Sequence, residues 1–284
     1  MKMITKEQRQ SYIRDGFLFP IRVMSTEAAH QGLAKLENME ARIGAPLSKA
    51  DMKWRSGAYV YSSWVNALVR DPSILDLVED VIGPDILVYW STFFVKEPGT
   101  PSFTAWHQDA TYFGLDPFHH VTAWVALTEA SELAGCMDVL SGQGKARQMH
   151  HAALRLANSI NAAGQTIVEP IDESNPVAMS LHAGEASLHN TLCIHRSAPN
   201  RADHRRVGLG ISYVPAHVRP TGSFRMPALL VRGENRYGYY DLLPDPAGEL
   251  EPADVALHEQ TYKRFRENYY EQEALHDKRY GNAK

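Results

Sequence analysis

Cysteine is scarce in this sequence, which contains only Cys136 and Cys193 among its 284 residues. Two cysteines are too few for a disulfide framework, and their apolar surroundings indicate buried thiols. Long apolar runs are also lacking: no segment approaches the roughly 18 residues of a membrane-spanning helix, and no apolar segment follows the first charges as in a secretory signal. We therefore expect a cytoplasmic protein with no membrane partner.

A large excess of charge of one sign is lacking as well. The formal net charge is -4 at pH 7, and the two signs are interspersed. A nucleic-acid-binding surface requires a basic patch, so we expect no nucleic-acid partner. No linker, repeat or low-complexity tract divides the sequence, and we predict a single domain over residues 1–284. The sequence does not indicate the oligomeric state.

Helical patterns are found mainly at the two ends of the chain. We predict helices from Thr5 to Gly16, from about 26 to 43, and from Asp71–Pro72 to Gly83, and a C-terminal helix over about 253–275. Between residues 86 and 214 the pattern changes to short β-branched and aromatic segments separated by turn residues. Many strands without strand–helix–strand alternation predict a mainly β (α+β) protein with a jelly-roll core. The expected strands are 86–95, 103–107, 121–127, 136–140, 167–168, 186–194 and 207–214.

The motif His107-Gln108-Asp109 is the first candidate for chemistry. In an extended strand, residues two apart lie on the same face, so both side chains could reach one metal ion. A third ligand must come from elsewhere, and His195 is preferred because a polar turn follows it and places it at a strand end. His189 shares its strand parity and is the main competitor. Two imidazoles and one carboxylate are the ligand set of non-haem Fe(II) oxygenases, although an isolated His-x-Asp pair is often only a surface feature.

An arginine pair begins the following strand. Arg206 could present a planar guanidinium to a carboxylate in the same cavity as the metal, although an arginine that merely closes a hairpin would have the same spacing. Gly208 and Gly210 would leave one face of this strand free beside a ligand.

Taken together, these motifs resemble those of the phytanoyl-CoA dioxygenase family of Fe(II)- and 2-oxoglutarate-dependent oxygenases. The resemblance covers most of the chain and rests on the order and spacing of short motifs: Asp15-Gly16-Phe17, 95–99 (VKEPG), 106–109 (WHQD), 123–128 (AWVALT), 134–137 (AGCM), Gly184-Glu185 and 195–200 (HRSAPN). The sequence departs from the family at 140–144 (LSGQG), where relatives often have Pro-Gly-Ser-His, so no role is carried over to that loop.

The resemblance implies a double-stranded β-helix fold and a set of site residues. His107, Asp109 and His195 would bind Fe(II), and His189 would lie outside the ligand set. Arg206, assisted by Ser197, would hold the distal carboxylate of 2-oxoglutarate. The residues expected along the same co-substrate are Thr104, Trp124 and, as a weaker candidate, Lys96. The family's reaction consumes O2 and 2-oxoglutarate and yields succinate and carbon dioxide while a C–H bond of the substrate is oxidised. Asp109 favours hydroxylation over halogenation, because halogenating relatives have a small residue in its place.

The substrate is the least determined part of the prediction. The irregular, basic and aromatic segment 46–61 is a candidate lid or pocket wall, and a small polar or anionic metabolite is expected. The candidate substrate contacts are Lys53, Arg55, Tyr59, Tyr61, Tyr112 and Arg196. Two alternative functions remain: a jelly-roll Zn or Mn hydrolase or isomerase, which would give Arg206 no role, and a non-catalytic ligand sensor.

Overall fold

The computed structural model describes residues 1–142, 147–161 and 164–281. Gln143 and Gly144, in the loop that departs from the family pattern, lie outside these residues. In the described part of the chain the helices are α1 (Lys6–Asp15), α2 (Thr26–Ile43), α3 (Met52–Arg55), α4 (Ser63–Val69), α5 (Pro72–Ile82) and α6 (Pro252–Tyr280). Short 3-10 turns lie at Ala58–Val60 and Asp109–Thr111.

Helix boundaries follow from local chemistry. Thr5 and Gln8 form a reciprocal capping box at the start of α1, and Asp71 accepts a hydrogen bond from the backbone of Ser73 at the start of α5. Gly16 and Gly44 end α1 and α2 in the left-handed region, with φ of 88° and 90°, where a side chain would be strained. These predicted helices are confirmed.

The strands form two main sheets. In chain order they are β1 (Phe17–Arg22), β2 (Ile86–Lys96), β3 (Thr104–His107), β4 (Leu115–Asp116), β5 (Val121–Ala126), β6 (Met137–Leu140), β7 (His151–Ala153), β8 (Gln165–Ile167), β9 (Val177–Met179), β10 (Glu185–Asn190), β11 (Ile194–Ser197), β12 (Arg206–Pro215), β13 (Arg219–Pro220), β14 (Pro227–Arg232) and β15 (Asp241–Leu242). The major sheet has the order β1-β10-β5-β12-β2-β14-β15, and the minor sheet has the order β3-β11-β6-β9. All but one of the pairs within these sheets are antiparallel, which confirms a mainly β jelly roll.

The two faces of the major sheet have different partners. One face packs against the N-terminal helices in the largest apolar cluster, to which α5 contributes Ile74 and Val78 and β12 contributes Leu209 and Ile211. The other face opposes the minor sheet, because both sheets line the same cavity. The helices therefore support the sheet from behind, and its opposite face is left for a site between the sheets.

Gly208 and Gly210 lie on the cavity face of β12, but they do not leave that face free as expected. A Cβ atom on Gly208 would lie 2.1 Å from Cζ2 of Trp124, and one on Gly210 would lie 2.9 Å from Cε2 of Phe94. The missing side chains make room for two aromatic rings from neighbouring strands. Gly208 thus positions Trp124 instead of contacting a ligand directly.

The C-terminal part of the chain is more integrated than its polar sequence indicates. Helix α6 extends to Tyr280, beyond the predicted end near residue 275. Two of its histidines, His258 and His276, are buried. Nε2 of His258 lies 2.7 Å from the backbone oxygen of Ser56. No helix in the described residues is long and apolar enough to cross a membrane.

Candidate metal centre

Two strands and a turn bring His107, Asp109 and His195 together. His107 ends β3 and pairs directly with His195 on β11. Asp109 does not extend the strand as predicted, because β3 ends at His107 and Asp109 begins a 3-10 turn. Its Oδ1 lies 3.9 Å from Nε2 of His107 and 3.7 Å from Nε2 of His195. Among the described residues these three form the one His/Cys/Asp/Glu group that could hold a metal ion.

The two imidazoles present their Nε2 atoms to the centre. Nδ1 of His107 lies 2.8 Å from the carbonyl oxygen of Ala105, and Nδ1 of His195 lies 3.0 Å from that of Cys193. Nδ1–H therefore donates to a carbonyl in each case, which leaves the Nε2 lone pair available to a metal. Burial lowers the pKa of both histidines, so both rings are neutral, as metal ligands must be.

Asp109 is held through its other oxygen. Oδ2 accepts a hydrogen bond from the Thr122 hydroxyl at 2.8 Å and one from Nε2 of His189 at 3.2 Å. Burial alone would raise the pKa of Asp109, but the His189 hydrogen bond and the adjacent imidazoles outweigh it and hold the pKa well below its usual range. The carboxylate is therefore ionised with Oδ1 directed at the centre. His189 acts on this ligand and is not one itself.

The donor set fits Fe(II). Two neutral imidazoles and one carboxylate on one side of an ion, with the other positions open, form the facial arrangement of non-haem iron oxygenases. Each ligand has a second contact that orients it, as metal sites generally require.

Arg206 lines a cavity of about 430 Å³, including its open mouth, and the three candidate ligands line the same cavity. Arg206 is 3% exposed. Its Nη1 donates to the carbonyl of Gly135 at 2.8 Å, and its guanidinium lies 5.2 Å from the ring centre of Trp124. Its Nε has no hydrogen-bond partner, and the guanidinium forms no ion pair with a carboxylate of the described residues. Burial lowers its pKa to about 10, so it is charged at neutral pH. A buried and unpaired cation of this kind is costly unless an anion joins it.

The other predicted co-substrate residues lie beside this guanidinium. Thr104, Trp124 and Ser197 line the same cavity, and the hydroxyls of Thr104 and Ser197 are 3.0 Å apart. Lys96 reaches it indirectly, since its Nζ donates to Oγ of Ser197 at 2.7 Å and to the carbonyl of Ala198. Burial, with a smaller contribution from Arg206, lowers the pKa of Lys96 to about 6. Lys96 thus orients Ser197 and adds little positive charge at neutral pH.

The predicted substrate contacts are only partly brought together. Arg55 lines a second cavity, of about 770 Å³ including its open mouth, which shares His107 and Asp109 with the first. Tyr59 and Tyr61 do not line it: both are completely buried in the apolar cluster behind the major sheet, and the Tyr61 hydroxyl donates to the backbone of Trp54. They stabilise segment 46–61 from behind and do not face a ligand.

Tyr112 and Arg196 are also outside the cavity. Tyr112 is buried against Tyr269 with ring centres 4.9 Å apart. Arg196 alternates with His195 and Ser197 on β11, so it points to the opposite side of the minor sheet. There it lies 4.4 Å from the ring centre of Trp106 and pairs with Asp138 at 3.1 Å. The prediction that these residues receive the substrate is therefore not supported by their placement.

Helix α6 supplies part of the second cavity that the sequence reasoning missed. Its contributions to the lining are Tyr262, Phe265, Arg266 and Tyr269. Their spacing of three and four residues marks one helical face, but it does not tell which part of the protein that face covers.

Comparison with known proteins identifies the family. Residues 12–208 match the description "Phytanoyl-CoA dioxygenase (PhyH)". The chain belongs to the phytanoyl-CoA dioxygenase family. A Caenorhabditis elegans relative, "Phytanoyl-CoA dioxygenase domain-containing protein 1 homolog", is 22% identical over 59% of this chain and 60% of its own length. An "Ectoine dioxygenase" from Streptomyces avermitilis is 24% identical over 69% of this chain and 74% of its own. The match thus spans less than two thirds of the C. elegans protein.

Solved structures agree with this phytanoyl-CoA dioxygenase fold. The "non-heme monooxygenase; ThoJ apo" has a TM-score of 0.82 at 29% identity, with 93% of this chain and 98% of that one covered. The structure "CytC3 with Fe(II) and alpha-ketoglutarate" has a TM-score of 0.65 at 21% identity over 88% and 96% of the two chains, which supports the fold. Helix α6 lies beyond residue 208 and thus outside the family match.

Proposed function

We propose that the protein is an Fe(II)- and 2-oxoglutarate-dependent dioxygenase that hydroxylates an unactivated C–H bond of a small-molecule metabolite and releases succinate and carbon dioxide. The observation that carries this proposal is the buried, unpaired guanidinium of Arg206 in the cavity of the His107, Asp109 and His195 cluster. A cation there and a metal centre together match the two ends of a 2-oxo dicarboxylic acid.

The chain's own residues account for co-substrate binding. Arg206 binds the distal carboxylate with charge-assisted hydrogen bonds, and the Ser197 and Thr104 hydroxyls lie 3.0 Å apart beside it as further donors. Trp124 forms an apolar wall under the guanidinium. When bound, Fe(II) supplies the activation of O2 coupled to oxidative decarboxylation of the co-substrate.

The carboxylate of Asp109 favours hydroxylation within this reaction class. It supplies a third protein ligand, and the contacts from Thr122 and His189 hold it in place. A halide would need the position that this carboxylate takes. Structures that share this fold include ones titled as a carbocyclase and an epimerase, so the outcome of C–H oxidation is determined by direct product analysis.

The experiment that tests the proposal is a succinate-release assay with purified protein, Fe(II), 2-oxoglutarate and O2 against a panel of metabolites. Substrate-stimulated succinate release, with a product 16 mass units heavier as expected for one inserted oxygen atom, supports hydroxylation. Turnover independent of O2 and 2-oxoglutarate would instead select a hydrolase or isomerase. Binding of 2-oxoglutarate without succinate release by any panel member would select a sensor.

A further inference from the structure

The second cavity has an unusual balance of charge. It adjoins the metal cluster, since His107 and Asp109 line both cavities. The one carboxylate among its described lining residues is Asp109, whereas Arg55 and Arg266 are both present. With Asp109 committed to the metal, the remaining lining is positively charged. A site of this kind is complementary to an anion.

Arg55 is the better placed of the two cations. Its Nη2 donates to the backbone carbonyl of Ile160 at 3.1 Å, while its Nε is buried without a hydrogen-bond partner. No carboxylate in the described part of the chain lies within 4 Å of it, although Lys53 on the same short helix pairs with Glu259 at 2.5 Å. The half-buried guanidinium of Arg55 thus has no carboxylate partner, whereas its neighbour Lys53 has one. It can therefore bind an oxyanion that enters the cavity.

Aromatic rings form the rest of the wall. Trp90 from β2 stacks on Phe265 from α6 with ring centres 3.9 Å apart and an interplanar angle of 4°. Tyr262 lies on the same indole at 6.4 Å. Arg266, the other cation of the lining, already makes a cation–π contact: its guanidinium lies 4.7 Å from the ring centre of Tyr270. Because paired rings present a broad apolar surface, they suit a hydrocarbon or aromatic body.

We propose that the substrate is a small organic oxyanion with an apolar or aromatic body, that Arg55 binds the oxyanion, and that the Trp90–Phe265 wall holds the body beside His107 and Asp109. This inference rests on the proposed function, since it names the substrate class of the same site. Arg55 is then a specificity-determining residue. Its distance along the cavity from the metal selects which carbon of the body is oxidised.

The test measures equilibrium binding by titration calorimetry on the full-length protein loaded with Ni(II), which does not turn over, and with saturating 2-oxoglutarate, which occupies Arg206. The probes are matched pairs of carboxylic acid and amide, such as 3-phenylpropanoate with 3-phenylpropanamide and hexanoate with hexanamide. Phenyl phosphate and benzenesulfonate distinguish the kind of oxyanion. We expect at least one acid to bind about tenfold to a hundredfold more tightly than its amide, as expected for a charge-assisted hydrogen bond.

Three variants test whether Arg55 is the source of that preference. Arg55→Met should abolish the preference for the acid, and Arg55→Lys should retain part of it. Lys53→Met should leave the preference unchanged, because Lys53, contrary to the expectation from the sequence, does not line the cavity and pairs with Glu259 instead. A circular dichroism melt of each variant confirms folding. Equal binding of acid and amide across the panel, no binding by any probe, or an undiminished preference in Arg55→Met would each overturn the proposal.

The proposed function is tested by a separate measurement. Before the acids and amides are added, 2-oxoglutarate is titrated into the Ni(II) protein, and its binding depends on Arg206. Arg206→Met should abolish that binding while the acid preference of the second cavity persists. Loss of both ligands in Arg55→Met would indicate a general defect and would also count against the specific role of Arg55.

Discussion

Replacing Arg206 with methionine should stabilise the ligand-free protein while abolishing 2-oxoglutarate binding. Burial lowers the pKa of Arg206 from 12.5 to about 10. This shift corresponds to a free-energy cost of about 3 kcal/mol for keeping the guanidinium charged in the folded protein. Arg206→Met gives up the bond to Gly135 and the contact with the Trp124 ring, at about 1 kcal/mol each. The balance is a gain of about 1 kcal/mol, or about 2 °C in melting temperature for a chain of this size.

The assay is thermal denaturation of wild type and variant with Ni(II), with and without 2-oxoglutarate. A ligand at 100 times its dissociation constant should add about 2.7 kcal/mol to the unfolding free energy of the wild type and nothing to that of Arg206→Met. The adjacent Arg205 is the matched control, because it pairs with Glu40 at 2.8 Å and Glu97 at 3.0 Å. Arg205→Met should destabilise the protein and still bind 2-oxoglutarate. A variant at position 206 that melts several degrees lower, or that is still stabilised by 2-oxoglutarate, would refute the reasoning.

Three further predictions concern the metal centre and its surroundings. Asp109→Ala should reduce succinate release by more than about a hundredfold, because losing a residue that only orients a ligand already costs about 10–100-fold; an activity assay with full turnover would contradict the ligand assignment. His189→Phe removes the hydrogen bond to Asp109 Oδ2 and should weaken Ni(II) affinity by about 10–100-fold, measured by metal titration, whereas unchanged affinity would leave His189 no positioning role. Lys96 has a pKa of about 6 in the folded protein, below its ordinary 10.5. Between these two pH values the folded protein therefore binds fewer protons than the unfolded protein. Its free energy of unfolding should rise with pH in this range by up to about 1.4 kcal/mol per pH unit. Urea denaturation of Lys96→Met should show a flatter pH dependence between pH 6 and 9, and an identical slope in both proteins would show that Lys96 is not the source.

Much of the site could be predicted because its signals are local in sequence. The His-x-Asp motif, His195 at a strand end and Arg206 at the start of the next strand each follow from short patterns, and β-strand pairing then brings them together. The detail of Asp109 could not be predicted: strand parity placed it beside His107, but the strand ends first and a 3-10 turn carries it to the centre. The role of His189 follows from the pairing of β10 with β5, which places it beside Thr122.

The second cavity was harder to predict, because its residues meet only through tertiary packing. The basic and aromatic composition of segment 46–61 indicated a wall, but composition cannot tell which face of each turn points inward. Arg55 faces the cavity, whereas Tyr59 and Tyr61 fill the apolar core behind the sheet. The C-terminal helix was predicted as a helix, yet its docking against Trp90 depends on contacts between residues far apart in sequence.

The residues of the candidate metal centre and the aromatic wall of the second cavity come from different parts of the chain. The candidate iron ligands and Arg206 all precede residue 208, while Tyr262, Phe265 and Tyr269 come from the last helix. On the proposed function, substitutions in that helix should change which molecules bind in the second cavity without altering the candidate metal centre. Exchanging it between relatives offers a direct route to altered selectivity.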